Sequence, residues 1–254
     1  MTPIDMGDGT GTLGQGGLRN VSTFIGAIPD SVVLRYPADE GSGQTLNDEI
    51  GNNDMGLSFD NWISGDYVGG AAPSGDGVDD DGTATMPDSY ADSLDGSTGF
   101  SFVINTTDSD GSAIFAFEAT GTDEFVAIRI GAVHDDGKLL YSLRGDDGNN
   151  DLYVGSESRI DDGEDHTVTV QKEGNNASDV TIFVDGVAES VSVRDESPTS
   201  FTEGTEWIAW DRYFPGGTTP QGNNLNGVLD DIRLYNTAPT DSESQAYHDN
   251  HPSS

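Results

Sequence analysis

Asp179-Val-Thr-Ile-Phe-Val-Asp-Gly186 reads as a strand running into a turn, and His166-Thr-Val-Thr-Val170 upstream reads as its antiparallel partner. Every residue from Val180 to Val184 is β-branched or aromatic, the residue types that fit a pleated, half-buried surface. The Asp-Gly pair that follows is a turn signal between antiparallel strands. Moving outward, the pattern repeats. Phe100, Phe102 and Ile104 recur at every second position, as do Val126, Ile128 and Ile130. Further short apolar runs lie at Val32–Tyr36, Leu57–Trp62, Ile114–Phe117, Leu139–Leu143, Val191–Val193 and Trp207–Trp210. Period two in short runs separated by Asp-Gly, Gly-Asn or Asn-Asn predicts an all-β, two-sheet antiparallel sandwich. The spacing is even over 31–236, so one domain is expected at 31–254, preceded by an extended Gly-rich arm at 1–30. Thr240 followed by Glu243 fits a capping box and predicts a short helix from Asp241 to about Tyr247.

Charge sets the second constraint. The 254 residues carry 46 Asp and Glu against 10 Lys and Arg, a net charge of −36. Only Lys138 and Lys172 are lysines. Such a surface cannot neutralise phosphates in number, which excludes nucleic acid, and it equally excludes docking on an anionic membrane. The carboxylates repel one another at low salt, and molar salt screens them within about 3 Å. Abundant Asp with scarce Lys resembles the composition of proteins from extreme halophiles. There is no cysteine and no apolar run long enough to span a bilayer, so disulfides, thiolate chemistry and membrane insertion are excluded. The opening MTPIDMGDGTGTLGQGG has neither the basic region nor the apolar core of a secretory signal.

Four segments in order resemble the concanavalin A-like jelly roll, in its laminin-G-like branch. They are Tyr36-Pro-Ala-Asp-Glu-Gly-Ser-Gly-Gln-Thr-Leu-Asn-Asp48 with Gly51-Asn-Asn53, then Gly75-Asp-Gly-Val-Asp-Asp80, then the 166–186 strand pair, and finally Gly227-Val-Leu-Asp-Asp-Ile-Arg-Leu-Tyr-Asn236 with Asp241-Ser-Glu243. The aromatic that usually precedes His166 is replaced by Asp165, and residues 1–30 lie outside the resemblance. The fold hosts lectins, hydrolases and structural modules alike. Strict alternation over 228–235 puts Asp230 on the face of Val228, Ile232 and Leu234, and a carboxylate near a core needs a partner. The resemblance implies one: a structural calcium between the early turn and the last strand, held by Asp48, Asn53, Asp230 and carbonyls near Gly51. The alternative is that Asp230 accepts backbone N–H bonds at a strand end. On that alternation Asp230→Ala should be more damaging than Asp231→Ala.

Hydrolases of the fold need paired carboxylates on one strand face. The nearest pair, Glu203 and Glu206, is three apart and falls on opposite faces, so no catalysis is expected. Ligand binding points instead to the long connection Asp211-Arg-Tyr-Phe-Pro-Gly-Gly-Thr-Thr-Pro-Gln-Gly-Asn-Asn224. Trp210, Tyr213 and Phe214 offer faces for sugar rings, and Asp211, Asn223 and Asn224 offer polar groups for hydroxyls. The alternative is that Tyr213 and Phe214 cover a sheet edge or a subunit contact. The run Asp79-Asp80-Asp81 reads as solvated acidic surface. Two functions are expected to compete. One is a non-catalytic surface protein of a halophilic virion, homo-oligomeric, tied to other virion proteins through residues 1–30 and carrying a lectin-like domain for host glycans or for assembly. The other is a secreted or cell-surface carbohydrate-binding module of a halophilic microbe.

Overall fold

A computed structural model describes residues 28–109, 112–118, 125–131, 136–144, 151–195, 206–210 and 223–251. In chain order the first strands are β1 (Val32–Tyr36), β2 (Thr45–Leu46), β3 (Met55–Leu57), β4 (Trp62–Ser64), β5 (Ala71–Asp76) and β6 (Gly82–Thr85). A single helical turn, α1 (Asp88–Ala91), leads to β7 (Thr98–Thr106), β8 (Ser112–Glu118), β9 (Phe125–Ile130), β10 (Lys138–Arg144), β11 (Asp151–Arg159) and β12 (Asp165–Lys172). The chain continues through β13 (Val180–Val184), β14 (Val187–Ala188), β15 (Val191–Asp195), β16 (Glu206–Ala209), β17 (Asn223–Asn224) and β18 (Asn226–Tyr235), and ends in α2 (Asp241–Asp249).

Two sheets form the sandwich. One runs β14-β13-β12-β7-β18-β5-β4, with β1 also pairing β18; the other runs β15-β11-β10-β9-β8-β16-β6-β3-β2, with β17 beside β8. The pairings are antiparallel apart from the two-residue contact of β17 with β8. Strand β13 pairs antiparallel with β12, as expected, with Val184 opposite Val168. Asp185 (φ 50°) and Gly186 (φ 73°) then form a two-residue loop, with Val184 facing Val187. Positive φ at both central positions gives the loop the twist that antiparallel strands need.

Between the sheets lies one continuous core, in which Leu34, Phe102, Ile114, Ile128, Tyr141, Val168, Ile182 and Leu234 all take part. Its centre is an aromatic column. Trp207 stacks on Tyr36 at 5.6 Å and on Phe117 at 5.7 Å, and Phe117 stacks on Phe100 at 5.7 Å. Offset stacking of this kind adds about 0.5–1.5 kcal/mol per pair beyond burial. Trp207 and Phe117 are cross-strand neighbours in one sheet, and Tyr36 and Phe100 come from the other, so the column spans the interface between the sheets.

A second, polar layer covers the other face of the β18 sheet. Helix α2 begins at Thr240, whose Oγ1 accepts from Glu243 N, while Glu243 Oε2 accepts from Thr240 N at 2.7 Å. This is the capping box expected from the sequence. Tyr247 is buried on the sheet and donates its OH to the Asp231 carbonyl at 2.8 Å.

Candidate functional site

One end of the sandwich gathers loops from both sheets. Trp210, at the end of β16, is wholly buried; its N–H donates to the Ile114 carbonyl and its Nε1 to the Gly227 carbonyl at 3.1 Å. Phe59 meets the ring edge-on at 5.5 Å. Trp210 is therefore a core residue, and its ring face is not open to a sugar. The sequence suggested a ligand contact because Trp210 flanks the long connection; its actual role is to anchor that connection. Leu225 N donates to the Trp210 carbonyl at 3.1 Å, which closes the 211–224 segment at its neck. Gly75 makes the neck possible, since a Cβ there would lie 2.7 Å from the Leu225 carbonyl oxygen and 2.8 Å from Trp210 Cδ1. Asp211, Tyr213 and Phe214 lie outside the described residues, as does the side chain of Asn223. Asn224 is buried and donates Nδ2 to the Asp80 carbonyl at 2.9 Å.

Neighbouring loops close on the same pole. Asp108 accepts from Asn226 N at 2.7 Å and from Ser112 Oγ at 2.9 Å. Thr106 Oγ1 donates to the Asn226 carbonyl, Gly163 N to the Thr106 carbonyl, and Gly137 N to the Ser109 carbonyl. Loops 76–81 and 106–109 thus hold the base of the 211–224 connection, and 136–137 and 160–164 bond to 106–109 in turn. The turn 76–81 uses Gly77 at φ 78°, a conformation that suits glycine. It draws the carboxylates of Asp76, Asp79 and Asp80 together, their nearest oxygens within 4.8 Å. Partial burial and the neighbouring Asp76, Asp79 and Asp81 push the Asp80 carboxyl above the ordinary range, although Asp76 N donates to it.

The calcium ligands implied by the resemblance fall into two separate clusters. Asp48 Oδ1 accepts from Arg35 N at 3.2 Å and Ile50 N at 3.0 Å, and its Oδ2 accepts from Asn53 N at 3.2 Å. A Cβ on Gly51 would lie 2.7 Å from Oδ2. Asp48, Gly51 and Asn53 thus build a tight turn around a carboxylate already supplied with amide protons. Those donors present positive charge where a cation would need lone pairs.

Asp230 stands elsewhere, and strand β18 explains why. Asp230 pairs with Val103 but Arg233 pairs with Ser101, so β18 carries one extra residue. This bulge, with Asp231 at φ 42°, reverses the alternation. Leu229, Ile232 and Leu234 enter the core, whereas Val228 packs with Tyr67 and Ala72 in a separate cluster. Asp230 does not share the face of Ile232 and Leu234, contrary to strict alternation. Its Oδ2 accepts from Val68 N at 2.8 Å and contacts His251 Nε2 at 3.2 Å, while Oδ1 is buried without a hydrogen-bond partner. Burial raises its pKa to about 6, against the opposing pull of His251 and the Val68 N–H. Among the described residues, Asp230 and the Asp48 turn share no hydrogen-bond partner.

Asp231 is the ionic centre that strand periodicity did not reveal. It accepts from Arg35 Nε at 2.7 Å and from Arg233 Nη2 at 2.6 Å, and all three side chains are buried. Burial would raise the Asp231 carboxyl, but the two guanidinium groups more than offset it and hold it below the ordinary range. Arg233 also lies 4.7 Å over the Tyr247 ring, which locks α2 to the sheet.

Comparison with known proteins agrees with this architecture. The family model for the concanavalin A-like lectin/glucanases superfamily, Laminin_G_3, matches residues 47–243. A search of curated proteins gives no match. Among solved structures, the botulinum neurotoxin serotype D/C binding domain superposes with TM-score 0.63 at 15% identity, covering 86% of this chain and 52% of that one. The binding domain of botulinum neurotoxin DC in complex with rat synaptotagmin II gives 0.61 at 14% identity, covering 86% and 51%. A structure of botulinum neurotoxin type C, whose cell entry depends on interaction with two ganglioside molecules, gives 0.62 at 14% identity over the same shares. The chain thus spans about half the length of the solved chains it matches. With the family match running from the early turn into α2, the chain belongs to the concanavalin A-like lectin/glucanase superfamily.

Proposed function

We propose that the protein is a non-catalytic recognition module that binds a glycan at the loop pole, on the surface of a virion or cell living in molar salt. The observation that carries this is the neck at Trp210 and Leu225, which presents the 211–224 connection from a rigid base. Loops held this way on a packed sandwich are where binding function concentrates. Tyr213 and Phe214 supply ring faces for stacking, and the surrounding Asp and Asn side chains supply acceptors and donors for hydroxyls. The solved relatives named for ganglioside and synaptotagmin support a recognition role over an enzymatic one. The net charge of −36 supports the saline setting.

The test is a glycan array in molar NaCl, comparing the wild-type chain with Tyr213→Ala/Phe214→Ala. Binding should fall at least roughly tenfold, about 1.4 kcal/mol or more, with the melting midpoint unchanged. A double variant that keeps its glycan profile contradicts the assignment of the loop. Immunogold microscopy of the native source separates a virion setting from a cell-surface one.

Residues 1–30 are assigned to attachment. Their glycines make ordering expensive, about 1–2 kcal/mol per residue for the backbone, and contacts with another chain would offset it. Deleting 1–30 should leave a folded monomer with nearly the same melting midpoint while abolishing oligomers in light scattering. Normal assembly of the truncated chain would overturn this role.

A further inference from the structure

We propose that Trp62, Asp60, Gln44 and Asn61 form a second carbohydrate contact, which takes a neutral sugar ring beside the edge strand β4. The proposal does not depend on the 211–224 connection. Among the described residues, every Phe, Tyr and Trp is buried except Trp62 and Tyr153. Trp62 is half-buried: it packs against the core, and among the described residues no other aromatic ring or cation covers its open side. Its orientation is fixed. Nε1 donates to the Gly43 carbonyl at 3.0 Å, and Gly43 N donates to Asp60 Oδ1 at 2.7 Å, so one residue's backbone ties the indole to the carboxylate. A Cβ on Gly43, or on Gly41 in the same turn, would meet nothing within 4 Å. The surface beside the indole is therefore open backbone.

Acceptors dominate the open groups. Asp60 Oδ2, Gln44 Oε1 and Asn61 Oδ1 take no hydrogen bond among the described residues. The amides of Gln44 and Asn61 each commit a proton to a carbonyl, of Ser58 at 3.2 Å and of Ser74 at 3.0 Å. A sugar ring answers both features, since its C–H face stacks on the indole and its hydroxyls donate to the oxygens. Asp60, on a chain of net charge −36, repels a carboxylate or sulfate, so the sugar is uncharged. The indole and Asp60 are already held, so little side-chain freedom is lost on binding. Ser58 N also donates to the Asp81 carbonyl at 2.9 Å, and Asp81 N to Ser58 Oγ at 2.8 Å, so the contact adjoins the 76–81 turn.

Trp207 and Trp210 are wholly buried, so of the three tryptophans only Trp62 is open to acrylamide. Acrylamide quenching of the full chain in molar NaCl, titrated with maltohexaose, cellohexaose and mannohexaose, is the test. Saturable protection by at least one of them is expected, and none by the anionic hexagalacturonate. In calorimetry with the protecting sugar, Trp62→Leu should weaken binding by roughly tenfold or more. Asp60→Asn, at an exposed position, should weaken it severalfold. Asparagine keeps an oxygen for Gly43 N and puts a donor where the other acceptor stood. Val187→Ser, at an exposed residue on the opposite edge of the sheet, should bind as the wild type does. Near-UV circular dichroism checks that each variant folds. Absence of protection by all three neutral sugars would overturn the proposal. So would protection by hexagalacturonate, or binding that keeps its strength in both Trp62→Leu and Asp60→Asn.

Discussion

Asp231→Ala is expected to destabilise the domain by about 3–5 kcal/mol, the cost of removing one partner from a buried ion pair. Arg35 and Arg233 would both lose their buried carboxylate, while the bond from the Tyr247 hydroxyl to the backbone carbonyl of residue 231 would remain. Alanine would also have to occupy φ 42°, a conformation that Asp tolerates better. Stability of whole domains is only about 5–15 kcal/mol, so the loss would be readily visible in urea unfolding. Asp230→Ala should cost less, about 1–2 kcal/mol, because it unpairs the Val68 N–H but also removes a carboxylate that burial disfavours. The order reverses what strict alternation along β18 suggests. A larger loss for Asp230→Ala would contradict the bulge.

The same pair predicts a pH effect of definite sign. The Asp230 pKa is raised to about 6, above its unfolded value, so its favourable contribution is complete below about pH 4 and is lost as pH rises through about 6. Relative to Asp230→Asn, the wild type should gain stability on acidification across that window, by on the order of 1–3 kcal/mol.

Salt should act on the whole molecule. The net charge of −36 makes the compact state repel itself, and raising NaCl from about 0.1 M to about 3 M shortens the screening length from about 10 Å to below 3 Å. Each kcal/mol of repulsion relieved moves the midpoint of a domain this size by about 2–4 °C. A rise of roughly 10 °C or more is therefore expected in a circular dichroism melt. An unchanged midpoint would mean that the carboxylate coat carries no destabilising charge.

Most of the sandwich was legible because strands buried on one face betray themselves by period two. Val180–Val184 and its Asp-Gly turn came out as read, and so did the capping box of α2. The bulge was not legible, because one extra residue in β18 leaves no compositional mark yet inverts every face beyond it. That inversion is why Asp230 moved out of the core and Asp231 became the ionic centre. His251 was hidden because a short polar C-terminal stretch carries no pattern; its link to Asp230 exists only in three dimensions. Trp210 was misplaced for a related reason. An aromatic beside a long loop looks the same in sequence whether it anchors the loop or faces a ligand. The run Asp79-Asp80-Asp81 reads as solvated acidic surface in the sequence; that the turn at Gly77 draws Asp76, Asp79 and Asp80 together leaves no mark in a chain with so many Asp residues.

The central claim is that recognition takes place at the loop pole. Hydrogen–deuterium exchange of the full chain in molar NaCl, with and without the glycan selected on the array, tests it most directly. Protection should concentrate in 76–81, 106–109 and the 210–226 segment, with the β12–β14 strands unchanged. Protection that falls on β12–β14 or on α2 and spares the 210–226 segment would contradict the account.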